Sequence, residues 1–304
     1  MSAPTRFHGT DRAILLSDGR LLGYAEYGDP AGQPVFHFHG WPSSRLEGRL
    51  LHEAAAAAGA RLISVDRPGL GLSDPRPGLS LLSWPDDVAE LADALRIERF
   101  AILGVSSGAS WALACGHRIP ARLSAIGLAG GVGPMDEPVT RKALDPVERV
   151  IDQVALRAPL VARGLFAAVA YRFRRDPAGF VTGLARRQPA SDRAYLDRPQ
   201  VRETVGAMLL EAVRNGTVGL VDGAAVQARP WGFRLADVPA TVHLWHGQKD
   251  EMVAPEAARH LAAGLPAAHA TFLPDESHLG LLIGHAPEML RTLVDETTRA
   301  RPAA

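Results

Sequence analysis

The chain of 304 residues has a single cysteine and no excess of charge of either sign. Cys115 has no second cysteine to pair with, which excludes an intrachain disulfide and fits a reducing compartment. The 33 basic and 33 acidic residues give a formal net charge of zero. This balance argues against general binding of nucleic acid or of a membrane surface, because both need a basic excess. No stretch approaches the roughly 18 uninterrupted apolar residues of a membrane span.

Other signatures are missing as well. The segment from Met1 to Asp18 has no basic stretch followed by an apolar run of signal-peptide length. We therefore expect a cytoplasmic protein with no membrane partner. No cluster of His, Cys and Asp has the spacing of a metal site, and no phosphate loop or dinucleotide fingerprint is present. The sequence thus predicts neither a metal nor a cofactor, and Cys115 is interpreted as a small core residue.

What the chain does contain is an alternation of strand and helix patterns, with enough hydrophobic residues (47%) for a sizeable core. Asp18-Gly19 marks a hairpin between the first two strands. The predicted strands are residues 13–17, 21–27, 34–38, 61–65, 100–105, 124–129, 241–245 and 270–273. The predicted helices are residues 45–58, a helix from about residue 83, and residues 109–118, 256–263 and 288–298. This alternation indicates crossover connections and a largely parallel sheet.

A helical segment interrupts that alternation. Residues 134–235 show helical periodicity, proline breaks and no convincing strand. We predict an α/β core of residues 1–133 and 236–304, with residues 134–235 inserted between strands six and seven. The alternative of two separate domains would leave the last two strands without a sheet.

The pentapeptide Gly104-Val105-Ser106-Ser107-Gly108 falls where a predicted strand turns into a predicted helix. In a sharp strand-to-helix turn a serine is held out at the sheet edge, and the glycines allow the close approach of strand and helix. The context predicts Ser106 as a nucleophile above a helix N-terminus, where developing negative charge is favoured. The alternative is a serine that only caps the helix.

Serine needs a base, and His278 is the candidate. Of eleven histidines in the chain, it alone lies in a loop directly after the final predicted strand, where a side chain can return over the sheet edge. The other late histidines, His260, His269 and His285, fall at a helix interior, a strand start and a helix start.

The base needs an acid to orient it. Asp250 follows the strand of residues 241–245, again at a carboxyl end, and is our candidate. The rival is Asp136, which follows the strand of residues 124–129. Acyl transfer also needs backbone N–H donors for the oxyanion. The residue after the nucleophile, Ser107, supplies one, and Trp41 in the segment His39-Gly40-Trp41-Pro42 supplies the other, unless that segment is only a tight turn.

Taken together, these motifs occur in the order seen in the α/β-hydrolase superfamily. The segments are His39 to Pro42, Asp66 to Ser73, the Gly104 to Gly108 pentapeptide, His246 to Asp250 and Glu276 to His278. The chain resembles the branch that holds esterases, lactonases, carbon–carbon bond hydrolases and cofactor-free haloperoxidases, over residues 13–133 and 236–298.

The resemblance implies an α/β-hydrolase fold: a mostly parallel eight-stranded sheet flanked by helices, with an inserted helical cap and the pocket between sheet edge and cap. It also implies structural roles for Asp66 and Arg67 and favours a cis Trp41-Pro42 peptide. Relatives that open epoxides or remove halides carry aspartate at the nucleophile position, so Ser106 argues against both reactions. One departure from the pattern is Ser277, since the residue before the histidine is often glycine.

The implied reaction is hydrolysis of an ester-like bond, a carboxylic ester or lactone, of a small molecule through an acyl-enzyme. Two alternatives stay open: a carbon–carbon bond hydrolase or cofactor-free lyase or oxygenase, and a ligand-binding module with an unused triad. The insertion carries a net basic charge, which favours anionic substrates or forms a solvated face. Its amphipathic stretch, residues 147–175, is expected to line the pocket rather than touch a membrane. A homo-oligomer is left open.

Overall fold

The structure is a computed structural model and describes residues 10–300. Half of the segment without a signal-peptide pattern, residues 1–9 of Met1 to Asp18, therefore lies outside the described residues. No helix within residues 10–300 is both long and apolar enough to cross a membrane.

One eight-stranded sheet organises the chain. Its strands in chain order are Thr10–Leu15 (β1), Leu21–Gly28 (β2), Gln33–Phe38 (β3), Ala60–Val65 (β4), Phe100–Val105 (β5), Leu123–Ala129 (β6), Val242–Gly247 (β7) and Ala268–Leu273 (β8). The spatial order is β1-β2-β4-β3-β5-β6-β7-β8. β2 is antiparallel to β1 and to β4, and the remaining pairs are parallel. The predicted fold class is confirmed.

Helices cover both faces of the sheet, as a parallel sheet requires. The α-helices of the described residues are His52–Ala58 (α1), Trp84–Ala94 (α2), Gly108–Arg118 (α3), Pro138–Ala143 (α4), Pro146–Arg157 (α5), Pro159–Arg175 (α6), Pro177–Ala185 (α7), Ala190–Leu196 (α8), Pro199–Ala212 (α9), Val218–Gln227 (α10), Pro255–Gly264 (α11), His278–Gly284 (α12) and Ala286–Arg299 (α13). α1 packs with α13, and α2 packs with α3. The two resulting cores centre on Trp84 and Trp111 on one face and on Leu103 and Met289 on the other.

The central strand of the sheet, β5, is fully buried. All six residues of β5 are buried, which matches a strand read as a continuous apolar run. Its neighbours pair in parallel register, Phe36 with Ile102 and Leu103 with Gly127. The carboxyl ends of β3, β5, β6 and β7 therefore meet at one edge, where the candidate residues follow the strands.

Three details differ from the sequence-based expectation. β1 ends at Leu15 rather than residue 17, because the Leu16 amide already bonds to the Arg20 carbonyl oxygen (2.8 Å) in the hairpin turn. The helix expected over residues 45–58 begins as a 3₁₀-helix, Arg45–Leu51, and only α1 is α-helical. Finally, α12 was not predicted, and it places His278 at the start of a helix rather than in a loop.

The segment between β6 and β7 is helical. Helices α4 to α10 occupy it, and no strand occurs between residues 134 and 235, all of which the structure describes. One isolated antiparallel bridge, from Leu144 to Val253, ties its start to the loop after β7.

Candidate active site

Ser106 occupies the sharp turn between β5 and α3. Its φ is 52°, a left-handed conformation that is costly for a residue with a side chain. The turn is held by the Ser106 amide, which donates to the Ala129 carbonyl oxygen (2.9 Å), and by the Ser106 carbonyl, which accepts from Val132 (3.2 Å). β6 thus holds the strained serine in place.

The flanking glycines are required by close backbone approach. A Cβ on Gly108 would lie 2.1 Å from the carbonyl oxygen of Phe38, and one on Gly104 would lie 2.7 Å from the Gly108 carbonyl oxygen. Both distances are far below van der Waals contact. The pentapeptide therefore has the geometry expected of a nucleophile turn.

His278 and Asp250 form a close pair at the same sheet edge. The His278 Nδ1 lies 2.6 Å from Asp250 Oδ2. The other oxygen, Oδ1, accepts from the amides of Met252 (3.0 Å) and Val253 (2.9 Å). Because Asp250 is fixed by its own loop and accepts the Nδ1 proton, the Nε2 of the neutral His278 imidazole is free to accept a proton.

This pair shifts both pKa values. Burial lowers the pKa of His278, but the Asp250 carboxylate more than offsets it and raises the value to about 9, with Glu148 and Asp192 adding to the rise. Burial raises the pKa of Asp250, yet the neighbouring His278 brings it below its ordinary value. Each partner thus favours the charged form of the other.

The rival residues lie elsewhere. Asp136 is exposed on the loop after β6. His285 lies 3.3 Å from Glu276 at the end of α12. Among the described residues, His278 is the one histidine that lines the same cavity as Ser106. The structure therefore brings Ser106, Asp250 and His278 to one place and leaves Asp136 outside it.

Trp41 and Ser107, the predicted oxyanion donors, flank the serine. A Cβ on Gly40 would lie 3.5 Å from the Cβ of Ser106, so the loop after β3 runs directly past the candidate nucleophile. Within residues 10–300, no backbone carbonyl accepts a hydrogen bond from the Trp41 or Ser107 amide. Both N–H groups thus remain candidates for oxyanion donors. The Trp41-Pro42 peptide is cis, as the resemblance led us to expect.

A buried ionic network braces this loop. Arg67 donates from Nη2 to the Gly40 carbonyl oxygen (2.7 Å) and from Nη1 to Ser107 Oγ (3.1 Å), which joins the two donor segments. The Glu47 carboxylate accepts from the Gly40 amide (3.1 Å). Burial lowers the Arg67 pKa to about 10, and Glu47 opposes that shift.

Neighbouring side chains complete the network. Burial would raise the pKa of Glu47, but His37, at 3.2 Å, brings it down to about 2. Burial lowers the pKa of His39 to about 3, so its ring is neutral as it contacts the Gly40 carbonyl (2.8 Å). Asp66 accepts from the Arg45 guanidinium (2.9 Å), which agrees with a structural role.

The candidate residues open into a cavity of about 290 Å³. The insertion lines it with Phe180, Leu184, Gln188, Asp192, Leu196, Val205, Met208 and Leu209, from α7 to α9 and the loop between α7 and α8. The expectation that residues 147–175 line it is wrong for this cavity. Several apolar residues of α5 and α6 face outward instead, and Leu160 (78%) and Leu165 (59%) are largely exposed, whereas Ala155, Ala162 and Phe173 are buried.

Trp41 links the loop after β3 to the insertion. Its indole Nε1 donates to the Leu220 carbonyl oxygen at 3.0 Å. Its ring meets Phe166 of α6 edge-on, with the centroids 5.6 Å apart. The indoles of Trp111, Trp231 and Trp245 are instead buried in the core.

Three acidic residues near the candidate site were not predicted from the sequence: Glu47, Glu148 and Asp192. Glu47 and Asp192 line the cavity. Burial raises the pKa of Glu148 to about 7 beside His278 and Asp250. None of the three stands in a motif, and the only sequence signal was the unusual Ser277, which contacts Asp192.

The site shows no features of a metal centre. Within residues 10–300, no group of three or more His, Cys, Asp or Glu side chains is arranged to hold a metal ion. Cys115 is fully buried, and burial raises its pKa.

Comparison with known proteins identifies the family. The model of the alpha/beta hydrolase fold matches residues 33–284. The chain belongs to the α/β-hydrolase fold family. This α/β-hydrolase is 34% identical to a non-heme chloroperoxidase of Streptomyces lividans over 96 residues, 31% of this chain and 35% of that protein. It is 30% identical to a proline iminopeptidase of Xylella fastidiosa over 122 residues, 38% of each chain.

Among solved structures, an esterase from Exiguobacterium antarcticum superposes with a TM-score of 0.68 at 19% identity, covering 95% of this chain and 100% of that one. The chain spans well under half the length of the two curated relatives named above. At this identity the structural likeness shows the fold. The α/β-hydrolase thus has esterase, peptidase and chloroperoxidase relatives at low identity.

Proposed function

We propose that this α/β-hydrolase is a serine hydrolase that cleaves an ester-like bond, a carboxylic ester or lactone, of a small molecule through an acyl-enzyme. One observation carries the proposal. Ser106 in its strained turn and His278, bonded through Nδ1 to Asp250 at 2.6 Å, line one cavity. That is the arrangement in which a base can activate a serine hydroxyl.

The reaction follows from these roles. The Ser106 Oγ attacks the carbonyl carbon as His278 Nε2 takes its proton, and the carbonyl oxygen becomes an oxyanion held by the Trp41 and Ser107 amides. Collapse expels the alcohol, which receives the proton from His278. Water then attacks the acyl-enzyme by the same route, and the acid leaves while Ser106 regains its proton. Asp250 stabilises the imidazolium that forms in each half.

The cavity supports an apolar acyl group as the preferred substrate portion. Its walls are mostly aliphatic and aromatic, and Leu279 and Leu282 of α12 add to those of the insertion. Burying each methylene of a substrate there is favourable by about 0.8 kcal/mol. We accordingly propose that residues 134–235 act as a cap that selects the substrate by its apolar length.

The test is turnover of p-nitrophenyl esters from acetate to decanoate by the wild type and by Ser106→Ala. We expect hydrolysis that the substitution reduces by about 10³- to 10⁶-fold, with a preference for medium acyl chains. Ser124→Ala, which changes a half-buried serine near the start of β6 whose hydroxyl contacts Thr297 (2.8 Å), is the control and should keep its turnover.

Two results would contradict the proposal. Equal turnover by wild type and Ser106→Ala would exclude the serine mechanism. A folded wild type that turns over no ester or lactone would favour carbon–carbon bond cleavage, a lyase or oxygenase reaction, or ligand binding without catalysis.

A further inference from the structure

The insertion reaches the candidate base through one buried carboxylate. Asp192 of α8 is 1% exposed. Its Oδ1 accepts from the backbone amides of Leu279 (2.9 Å) and Gly280 (2.8 Å). These are amides of the first turn of α12, which begins at His278. Because first-turn amides have no partner within their own helix, Asp192 supplies that partner from a segment more than eighty residues away.

Ser277 adds a third bond to the same oxygen. Its hydroxyl donates to Asp192 Oδ1 and receives a hydrogen bond from Ser191 Oγ at 2.8 Å. Ser277 itself does not cap the helix with its side chain. Glycine, often found in relatives before the histidine, would lack this hydroxyl. The serine at this position is therefore explained by its contact with the insertion.

Asp192 also contributes to the electrostatics of His278. The charged groups that face the imidazole are Asp250 after β7, Glu148 on α5 and Asp192 on α8, and all three raise its pKa. His246, beneath Asp250, has the opposite sign when protonated, and its pKa is lowered by burial. Removing one negative charge from this set must lower the pKa of His278.

We propose that Asp192 is a positioning residue: it fixes the first turn of α12, and with it the His278 imidazole, against Asp250 and Ser106. The inference rests on the proposed serine hydrolase function for its kinetic consequence. It makes the insertion part of the machinery that orients the base as well as a wall for the substrate. A base displaced by about 1 Å loses on the order of a hundredfold in rate.

The experiment compares Asp192→Ala, Asp192→Asn and the control Asp197→Asn. Asp197 ends the same helix, is exposed, and has Arg202 (2.9 Å) as its only ion-pair partner among residues 10–300. We expect Asp192→Ala to lower kcat about tenfold to a hundredfold while KM changes little. Asp192→Asn keeps an oxygen acceptor and should recover much of kcat, but its acidic limb of kcat/KM should move to lower pH. Asp197→Asn should match the wild type.

A substrate-free measurement separates this inference from the proposed function. The Nδ1 proton of His278, assigned by its loss in His278→Gln, is followed by NMR across the pH range. Weakening of this signal in Asp192→Ala but not in Asp192→Asn would support the positioning role even if no ester were cleaved, because both variants lose the charge and only Asp192→Asn keeps an oxygen acceptor for the α12 amides. An unchanged signal and pKa in folded Asp192 variants would overturn it, whatever the turnover.

Discussion

The two walls of the cavity, one from the sheet core and one from the insertion, are built from different kinds of chemical group. The sheet side consists of backbone amides held by buried charged groups, with Arg67 and Glu47 bracing the loop after β3 and Asp250 holding His278. The insertion side consists mainly of apolar side chains from α7 to α9. Directional bonds fix atoms to within fractions of an ångström, whereas apolar packing fixes only shape and volume. The sheet side therefore suits chemistry, and the insertion side, apart from Asp192, suits selection of the substrate.

The strongest test of this division is Asp250→Asn. If Asp250 orients His278, the substitution should reduce kcat by about 10⁴-fold, because the amide favours the wrong imidazole tautomer. Steady-state kinetics with the best p-nitrophenyl ester would measure it. Asp136→Asn is the control and should retain full activity, since Asp136 is exposed. The reverse pattern would show that the acid has been misassigned.

The next effect concerns the bracing of the oxyanion loop. Arg67→Lys should lower kcat about tenfold to a hundredfold, since one ammonium cannot join the Gly40 carbonyl and the Ser107 hydroxyl as the guanidinium does. The measurement is kcat beside the thermal melting curve. Arg122→Lys, which changes a surface ion pair with Asp93, should leave kcat unaltered. A raised KM with an unchanged kcat for Arg67→Lys would instead show that this arginine contributes to substrate binding and not to the chemical step.

A substitution on the insertion side of the cavity should change which acyl chain lengths the protein prefers. Val205→Phe fills part of the cavity and should lower kcat/KM for the decanoate ester on the order of tenfold, while the acetate ester is little affected. Chain-length profiles would measure it. Leu160→Phe enlarges a side chain that is 78% exposed and should reproduce the wild-type profile. A uniform loss for all chain lengths would show that Val205 supports the chemistry itself.

The smallest effect is on stability. Burial raises the pKa of Asp152 on α5 to about 8, with Gln227 opposing the rise. The folded chain therefore keeps this proton while the unfolded chain loses it near the ordinary value of 3.8. Stability should fall as pH rises from about 4 to 8, because the folded state binds more protons over that window.

Asp152→Asn removes this pH dependence of stability. It should raise the melting temperature at pH 9 by about 3 °C relative to the wild type. Thermal melts from pH 5 to pH 9 would measure the difference. Asp136→Asn again serves as the exposed control. If the two variants respond to pH identically, Asp152 carries its charge in the folded state after all.

The contrast between the sheet side and the insertion side also explains which features could be predicted from the sequence. The strand and helix order and the placement of Ser106, Asp250 and His278 follow from local patterns: apolar runs, glycine turns and carboxyl strand ends. α12 was missed because His278–Gly284 is short, contains two glycines, and has its first turn capped by Asp192, far away in the chain. The cavity lining was misjudged because amphipathic periodicity in residues 147–175 does not say which face turns inward.

The bond from the Trp41 indole to Leu220 has an optical consequence. Trp84, Trp111, Trp231 and Trp245 are at most 3% exposed, whereas Trp41 is half-buried at the junction of the loop after β3 and the insertion. Its emission wavelength depends on whether its N–H faces a carbonyl or water. The fluorescence of this one ring, isolated as the difference from Trp41→Phe, would therefore report any change in the contact between the loop after β3 and the insertion.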